Sequence, residues 1–282
     1  MDHIDKALKK AQRERTSVRS WVKPNRGSAE ANLVASEVVR PLEGRPVTFD
    51  EETLRSNSII CDPDYALAAN VDVYRRLRTL VLQSMKARGW NKLGITSPGA
   101  KAGKTLNAIN LAMAIAREGS RSVLLIDADF RRPAVADSLG IEVDSGLLDY
   151  IAGEVQLADL VLTPTNVKNL SIIPGRIGDS SSATPELIGS ARMDDVLSSL
   201  GRQVRNSIVI VDLPPTLIGD DVIALAPRLD ALLLVVAEGI TDVEDLRKTA
   251  ELLEPFELVG TILNNSRQKD ATFEGYYHTV AE

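Results

Sequence analysis

The fold is decided by the stretch Ile95-Thr96-Ser97-Pro98-Gly99-Ala100-Lys101-Ala102-Gly103-Lys104-Thr105. A short apolar strand, Leu93 to Thr96, leads into small residues, and Gly-Lys-Thr then opens a helix that extends toward Arg117. In such an order, backbone N–H groups and the positive end of the helix dipole, about half an elementary charge, converge on one anion. The sequence therefore predicts a phosphate-binding loop.

Side chains of this loop suit a nucleotide carrying magnesium. The Lys104 ammonium would reach the terminal phosphates, and the Thr105 hydroxyl is placed to bind Mg²⁺. The residues expected to contact the nucleotide are Gly99, Ala100, Lys101, Ala102, Gly103, Lys104, Thr105 and Leu106. The spacing departs from the usual rule of four intervening residues, because only three separate Gly99 from Gly103. A strand-to-helix turn that happens to contain Gly-Lys-Thr is the alternative.

Bulk composition narrows the functional classes. The chain has 282 residues, of which 44% are hydrophobic and 26% charged, as is ordinary for one globular α/β domain with an extension. Aromatic residues make up only 4%, which disfavours a stacking platform for single-stranded nucleic acid. The net charge of −6 argues in the same direction. We therefore expect no nucleic-acid partner.

The chain divides into three predicted segments. Residues 1–60 read as an N-terminal helix, spanning 2–15, followed by a flexible linker rich in Pro, Gly, Ser and Arg. Residues 61–270 form the predicted catalytic domain, and residues 271–282 a tyrosine-containing tail. The single cysteine suits a reducing compartment, and the apolar runs are far shorter than the roughly 20 residues of a membrane span. We expect a cytoplasmic protein that reaches the membrane only through a partner.

Strands and helices alternate after the loop. Continuous apolar runs typical of buried parallel strands are Ser122 to Ile126, Leu170 to Ile173, Ile208 to Val211, Ala231 to Val236 and Val259 to Leu263. Helical stretches lie between them. This order predicts an α/β fold with a doubly wound, mainly parallel sheet flanked by helices, of the P-loop NTPase type.

Acidic residues follow two of these strands. Asp127 and Asp129 come directly after one buried run, and Asp212 after another. The carboxyl ends of parallel strands meet at one edge, where the phosphate loop also opens. Three carboxylates beside a triphosphate require a cation, and Mg²⁺ is a hard ion that prefers oxygen ligands. The sequence therefore predicts an ATP·Mg²⁺ site with Thr105, Asp127, Asp129 and Asp212 as metal ligands.

A row of charges marks the helix predicted over residues 64–86. Asp72, Arg75 and Arg78 recur at every third position and share one side. The apolar residues expected roughly opposite are Leu77, Leu80 and Val81. A solvated charged face is one interpretation. The other is an ion-pair seam between subunits, in which the acid of one protomer meets the arginines of the next and closes a ring.

These motifs together resemble the bacterial tyrosine kinases of capsule and exopolysaccharide synthesis, within the ParA/MinD-like P-loop ATPases. The resemblance covers roughly residues 60–278. It rests on Ser97 to Thr105, on Leu124 to Arg131, on Ile208 to Pro215, and on the Asp72-x-x-Arg75-x-x-Arg78 element. It implies an ATP-dependent protein-tyrosine autokinase that regulates polysaccharide polymerisation or export, and it favours the ring-forming seam.

The resemblance also assigns further residues. Arg131 belongs to the nucleotide motif, and Asn264 is similar to an asparagine that contacts adenine, with a buried amide capping the last strand as the alternative. Tyr276 and Tyr277 are the expected phosphoacceptors, modified by a neighbouring subunit. A tyrosine phenol of pKa near 10 is only about one-thousandth ionised at pH 7, so transfer benefits from a carboxylate that orients the phenol or accepts its proton, and Asp127 is the candidate. A membrane-embedded co-polymerase or activator is the implied partner.

Lys101 is the main departure from the family pattern, because a third loop glycine usually stands there. If this position needs a positive φ, a lysine carries strain of about 1–3 kcal/mol. Weak catalysis would make the chain a nucleotide-gated regulatory module. A positioning ATPase of the same fold, hydrolysing ATP to water, is the other alternative.

Overall fold

The computed structural model describes residues 42–60, 68–176, 188–203 and 206–267. The predicted helix at 2–15 and the tail at 271–282, with Tyr276 and Tyr277, lie outside these ranges. Within them, no helix is both long and apolar enough to cross a membrane.

Eight strands occur in the described part of the chain. They are β1 (Arg45–Val47), β2 (Lys92–Thr96), β3 (Ser122–Asp127), β4 (Leu162–Pro164), β5 (Leu170–Ile173), β6 (Ser207–Asp212), β7 (Ala231–Ala237) and β8 (Leu258–Asn264). The helices are α1 (Glu51–Ser56), α2 (Ala68–Arg88), α3 (Lys104–Glu118), α4 (Val135–Ser138), α5 (Leu147–Ala152), α6 (Leu157–Leu160), α7 (Ala191–Gln203), α8 (Asp221–Leu225) and α9 (Val243–Leu253). The strands predicted from the sequence are present, each within one residue at either end.

The strands form one sheet in the order β1-β4-β5-β3-β6-β2-β7-β8. Every neighbouring pair is parallel except β4 and β5, which are antiparallel. The prediction of a doubly wound, mainly parallel sheet is confirmed. Strand β2, which leads into the phosphate loop, lies near the middle between β6 and β7.

Between their first and last residues, strands β3 and β6 are apolar because both faces of the sheet are covered. In β3, Val123 and Leu125 belong to the hydrophobic cluster on one face, whereas Leu124 and Ile126 belong to the cluster on the other. This is the arrangement expected for strands that bury both faces. It holds the carboxyl ends of β3 and β6 in a fixed register.

The predicted flexible linker does not reach residue 60, which is a correction to the predicted domain boundary. Strand β1 pairs with β4 at the edge of the sheet, and α1 begins at the Asp50 side chain, which accepts the Thr53 N–H at 2.8 Å. Phe49 and Leu54 are buried in the core. Residues 42–60 therefore belong to the folded domain. Strand β4 was also missed.

Helix α2 packs on α3, the helix that follows the phosphate loop. Val81 and Met85 are buried in the core, and Leu77 packs against it. Leu80 does not join this face, since 57% of it is exposed, and its predicted place on the apolar side is wrong. This packing brings the residues of α2 within hydrogen-bond distance of α3.

Candidate active site

Three strands bring the predicted site residues to one edge of the sheet. Asp127 at the end of β3 and Asp212 at the end of β6 are direct partners in the parallel register, and Ile95 of β2 pairs with Asp212. The phosphate loop starts from β2, so it opens at the same edge. All three carboxylates, Asp127, Asp129 and Asp212, are at least 98% buried.

Lys104 lies at the centre of these carboxylates. Its Nζ is 2.8 Å from Asp129 Oδ2 and 3.4 Å from Asp212 Oδ2. The Thr105 hydroxyl donates to Asp212 Oδ2 at 2.6 Å. Residues more than 100 positions apart in the chain therefore form one hydrogen-bonded group at the start of α3.

Burial changes the protonation of this group. It raises the pKa of Asp127 to about 7, with help from the neighbouring Asp212 charge. It also raises the pKa of Asp212, more than Lys104 and Thr105 lower it. Burial would lower the pKa of Lys104, but the Asp212 and Asp129 carboxylates raise it above its usual range. Bound protons relieve part of the repulsion among three acids that share one ammonium, and a divalent cation would relieve it in the same way.

Two carboxylates and a hydroxyl fit a magnesium ion that phosphate oxygens also bind, although no three acidic, histidine or cysteine side chains of the described residues are grouped to hold a metal on their own. Buried carboxylate oxygens beside a hydroxyl are the hard ligands that Mg²⁺ takes, together with phosphate oxygens. Asp212 and Thr105, already in contact, and Asp129 are the groups that would hold it. In the structure, the cation that neutralises the Asp129 and Asp212 carboxylates is the Lys104 ammonium.

Backbone N–H groups hold the Asp127 carboxylate in place. Its Oδ2 accepts the N–H groups of Ala134 and Val135, each at 2.9 Å, and its Oδ1 accepts the N–H of Asp129 at 3.1 Å. Gly175 lies against the same carboxylate, since a Cβ there would stand 3.0 Å from Asp127 Cγ and 2.6 Å from Pro133 Cβ. The orientation of Asp127 is thus fixed by its neighbours.

The phosphate loop has the backbone that the sequence analysis considered. Gly103, at the N-cap of α3, has φ 90° and ψ 22°, and Lys101 has φ 64°. Both lie in the left-handed region, which a lysine adopts only with strain. The Lys101 side chain is exposed. Gly99 and Ala100 are partly exposed at the loop, and Ala102 is buried.

Three predicted nucleotide-binding residues make other contacts in the structure. Arg131 pairs with Asp221, Nε to Oδ2, at 2.9 Å. The Leu106 side chain packs against the hydrophobic core. Its backbone N–H lies in the first turn of α3, where N–H groups have no partner within the helix and can bind a ligand. Asn264, at the end of β8, donates from Nδ2 to the carbonyl of Ala102 at 2.9 Å. Their contacts with a nucleotide stay predictions.

The charged row of α2 lies on a different surface. Arg75 Nη1 is 3.2 Å from Asp72 Oδ1 within the same helix. Arg78 donates to the carbonyl of Ala114 at 3.2 Å and pairs with Glu118 at 3.5 Å. Both interpretations of the row, a solvated face and a seam between subunits, remain compatible with these partly exposed pairs.

Two residues that support the loop were missed by sequence reasoning. Asn107 is 3% exposed, and its side chain donates to the carbonyl of Gly103 at 2.9 Å. A polar residue in the first turn of a largely buried helix was the available signal. The second is Gly175, and nothing in the sequence reveals its contact with Asp127.

Comparison with known proteins decides the family. A family model described as an AAA domain matches residues 98–254, more than half of the chain. Tyrosine-protein kinase YwqD of Bacillus subtilis (strain 168) is 30% identical over 212 residues, which are 74% of this chain and 87% of YwqD. The chain belongs to the bacterial tyrosine-protein kinase family.

Other members of this kinase family differ in length. The putative tyrosine-protein kinase EpsB of Ralstonia solanacearum is 31% identical over 189 residues, which cover 66% of this chain but only 24% of EpsB. The chain thus spans about a quarter of that relative. Among solved structures, the kinase domain of Escherichia coli tyrosine kinase ETK has a TM-score of 0.66 and 27% identity, covering 75% of this chain and 81% of that domain. The family resemblance stated from the sequence is confirmed.

Proposed function

We propose that this chain is an ATP-dependent protein-tyrosine autokinase that phosphorylates Tyr276 and Tyr277 of a neighbouring subunit. The observation that carries the proposal is the group formed by Lys104, Asp129 and Asp212 at the mouth of the phosphate loop, in a member of a tyrosine-kinase family. A buried ammonium among carboxylates is suited to phosphates with a bound metal ion.

Each group has a role in the proposed transfer. The backbone N–H groups from Gly99 to Leu106 would bind the phosphates of ATP, and Lys104 would leave its carboxylates to neutralise the charge that develops on the terminal phosphate. Asp212, Asp129 and Thr105 would hold Mg²⁺. When bound, Mg²⁺ supplies charge neutralisation on the β- and γ-phosphate oxygens.

Asp127 is the proposed acceptor of the phenol proton. The tyrosine oxygen forms a bond to the γ-phosphorus, the bond from that phosphorus to the bridging oxygen of ADP breaks, and the phenol proton passes to the Asp127 carboxylate. Its pKa of about 7 supports this role, because a general base works best near the operating pH. The backbone donors around Asp127 would keep the carboxylate in one orientation.

Assembly and partners extend the proposal. The tail of one subunit reaches the site of the next if Asp72, Arg75 and Arg78 form a ring-closing seam. By resemblance to its family, the kinase would regulate exopolysaccharide or capsule polymerisation or export. It would act at the inner face of the membrane, beside a membrane-embedded co-polymerase or activator.

Mass spectrometry of the protein after incubation with ATP and Mg²⁺ tests the proposal. We expect phosphotyrosine at Tyr276 and Tyr277, and none in a Lys104→Ala variant or in the Tyr276→Phe/Tyr277→Phe double variant. Absence of phosphotyrosine with a membrane activator present would contradict the kinase. ATP-dependent dimers that hydrolyse ATP to water would point to a positioning ATPase. Tight ATP binding with negligible transfer would point to a regulatory module.

A further inference from the structure

A chain of side-chain hydrogen bonds joins helix α2 to the phosphate loop. The Tyr74 hydroxyl donates to Asn107 Oδ1 at 3.1 Å, and Asn107 Nδ2 donates to the carbonyl of Gly103 at 2.9 Å. The backbone N–H of Asn107 donates to the same carbonyl at 3.0 Å. Tyr74 stands within the Asp72-x-x-Arg75-x-x-Arg78 element, so the chain begins on the helix that carries the charged row.

The direction of the amide in this chain follows from its partners. The Gly103 carbonyl has no proton, so the Asn107 group facing it must be the donor Nδ2. That leaves Oδ1 toward α2, where it needs a donor, and the Tyr74 phenol is the hydroxyl within reach. Burial raises the pKa of Tyr74 by more than a hydrogen bond with the Asn110 side chain lowers it, so the phenol keeps its proton at neutral pH.

The Gly103 carbonyl that Asn107 binds lies in the same planar peptide unit as the Lys104 N–H, one of the expected phosphate-binding donors. Because the unit is planar, holding the oxygen in place also sets the direction of the N–H. The preceding unit, Ala102 C=O with Gly103 N–H, is held in the same way by Asn264. Two asparagines from different elements therefore orient two successive peptide units of the loop.

Tyr74 also lines a cavity of about 200 Å³ together with Arg75 and Arg78 of its own helix and Arg117 of α3. The phenol that bonds to the first turn of α3 therefore lies beside the charged row.

We infer that Tyr74 and Asn107 are positioning residues for nucleotide binding: the phenol orients the amide, and the amide orients the Gly103–Lys104 peptide toward the phosphates. This inference rests on the proposed nucleotide site but assigns residues outside it. Without the phenol, the amide loses the partner that fixes its rotation, and the peptide unit gains freedom that nucleotide binding must then remove.

Calorimetric titration with Mg·ADP tests the inference through the Tyr74→Phe variant. We expect the Kd to rise about 3- to 10-fold, the effect of one uncharged hydrogen bond. Thr79→Val is the matched control: it removes a hydroxyl from the same helix, one that among the described residues donates to the Arg75 carbonyl of α2 at 2.9 Å, and its Kd should stay at the wild-type value.

A double-mutant cycle identifies the route. If the phenol acts through the amide, Tyr74→Phe has no further effect on the Kd once Asn107→Ala is present. Hydrogen exchange in the nucleotide-free protein gives a second readout, with faster exchange expected for Tyr74→Phe in peptides covering residues 99–107 and not in those covering β3.

The outcomes separate the inference from the proposed function. The inference is overturned if Tyr74→Phe changes neither the Kd for Mg·ADP nor the hydrogen exchange of residues 99–107. It is also overturned if the effects of Tyr74→Phe and Asn107→Ala on the Kd are additive. Either result leaves the nucleotide site in place. Failure of the wild-type protein to bind Mg·ADP overturns both.

Discussion

The phosphate-loop edge of the sheet and the outer surface of α2 both pair acids with bases, yet their environments differ. Around Lys104 the carboxylates are almost completely buried, whereas the Arg75–Asp72 pair has 56% and 32% of its side chains exposed. Charges interact strongly where water is excluded, and an exposed pair contributes only about 0–1 kcal/mol. The comparison indicates that the charges around Lys104 are held in fixed positions, whereas the exposed pair on α2 contributes little to stability and can exchange partners.

Removal of Lys104 should have the largest effect. In Lys104→Ala, the Asp129 and Asp212 carboxylates lose their shared counter-charge, and the terminal phosphate loses its cation. We expect tyrosine phosphorylation, measured by quantitative mass spectrometry, to fall roughly 100-fold or more. Lys248→Ala, which removes an exposed lysine from α9, is the control. If Lys248→Ala reduced tyrosine phosphorylation as much as Lys104→Ala, the buried lysine would have no special importance over an exposed one.

The Gly175→Ala variant tests whether the orientation of Asp127 matters. The added Cβ would stand 2.6 Å from Pro133 Cβ, so one of these two segments must shift, and 3.0 Å from Asp127 Cγ, so the carboxylate must also give by a few tenths of an ångström. Misplacement of a reacting group by about 1 Å costs up to about 100-fold, and we expect a drop in the phosphorylation rate of about tenfold or more. Gly260→Ala is the matched control, because nothing lies within 4 Å of its added Cβ. An unchanged rate in Gly175→Ala would argue against Asp127 as the proton acceptor.

The buried acids should also make stability depend on pH. Folding raises the pKa of Asp127 from 3.8 to about 7, so the folded state holds more protons than the unfolded state across this range. The free energy of unfolding of the nucleotide-free protein should therefore decrease as pH rises from about 4 to 7. For one group the slope is at most about 1.4 kcal/mol per pH unit.

Urea unfolding at several pH values measures this slope. The Asp127→Asn variant lacks the titrating group and should show a smaller decrease, which makes it the comparison. A wild-type stability that climbs steadily between about pH 4 and 7 would be at odds with buried, proton-binding carboxylates.

The smallest effect on stability is expected at the α2 surface. Arg75→Ala should change the free energy of unfolding by less than about 1 kcal/mol, since its ion pair is exposed. If the row is a seam between subunits, the same variant should nevertheless abolish assembly in sedimentation velocity. Arg247→Ala, which removes an equally exposed arginine paired with Glu244 and Glu251 on α9, should leave assembly intact. If neither variant assembled, the loss would reflect the change in net charge and not a specific seam at the charged row.

Much of the site was predictable because it follows from a rule about parallel sheets. Asp127 and Asp212 end buried apolar runs, and parallel strands bring such ends together, so their register needed no knowledge of distant contacts. The left-handed backbone of Lys101 was considered only as a condition, because members of the family usually have a glycine there.

Other features were hidden because they depend on contacts between distant segments. Strands β1 and β4 have three residues each, too few for a periodic pattern, and the predicted linker extended over α1 for the same reason. The Tyr74–Asn107 bond joins residues 33 positions apart, and the approach of Gly175 to Asp127 depends on how β5 ends beside β3. Such contacts are set by packing, which a single sequence does not express.

Calorimetric titration of the purified protein with ADP, with Mg²⁺ and then with excess chelator, tests the central claim most directly. The account predicts saturable binding with Mg²⁺, and a severe loss of affinity in the chelator and in the Asp212→Asn variant. Absence of ADP binding by the wild-type protein, or equal affinity with and without Mg²⁺, would contradict it.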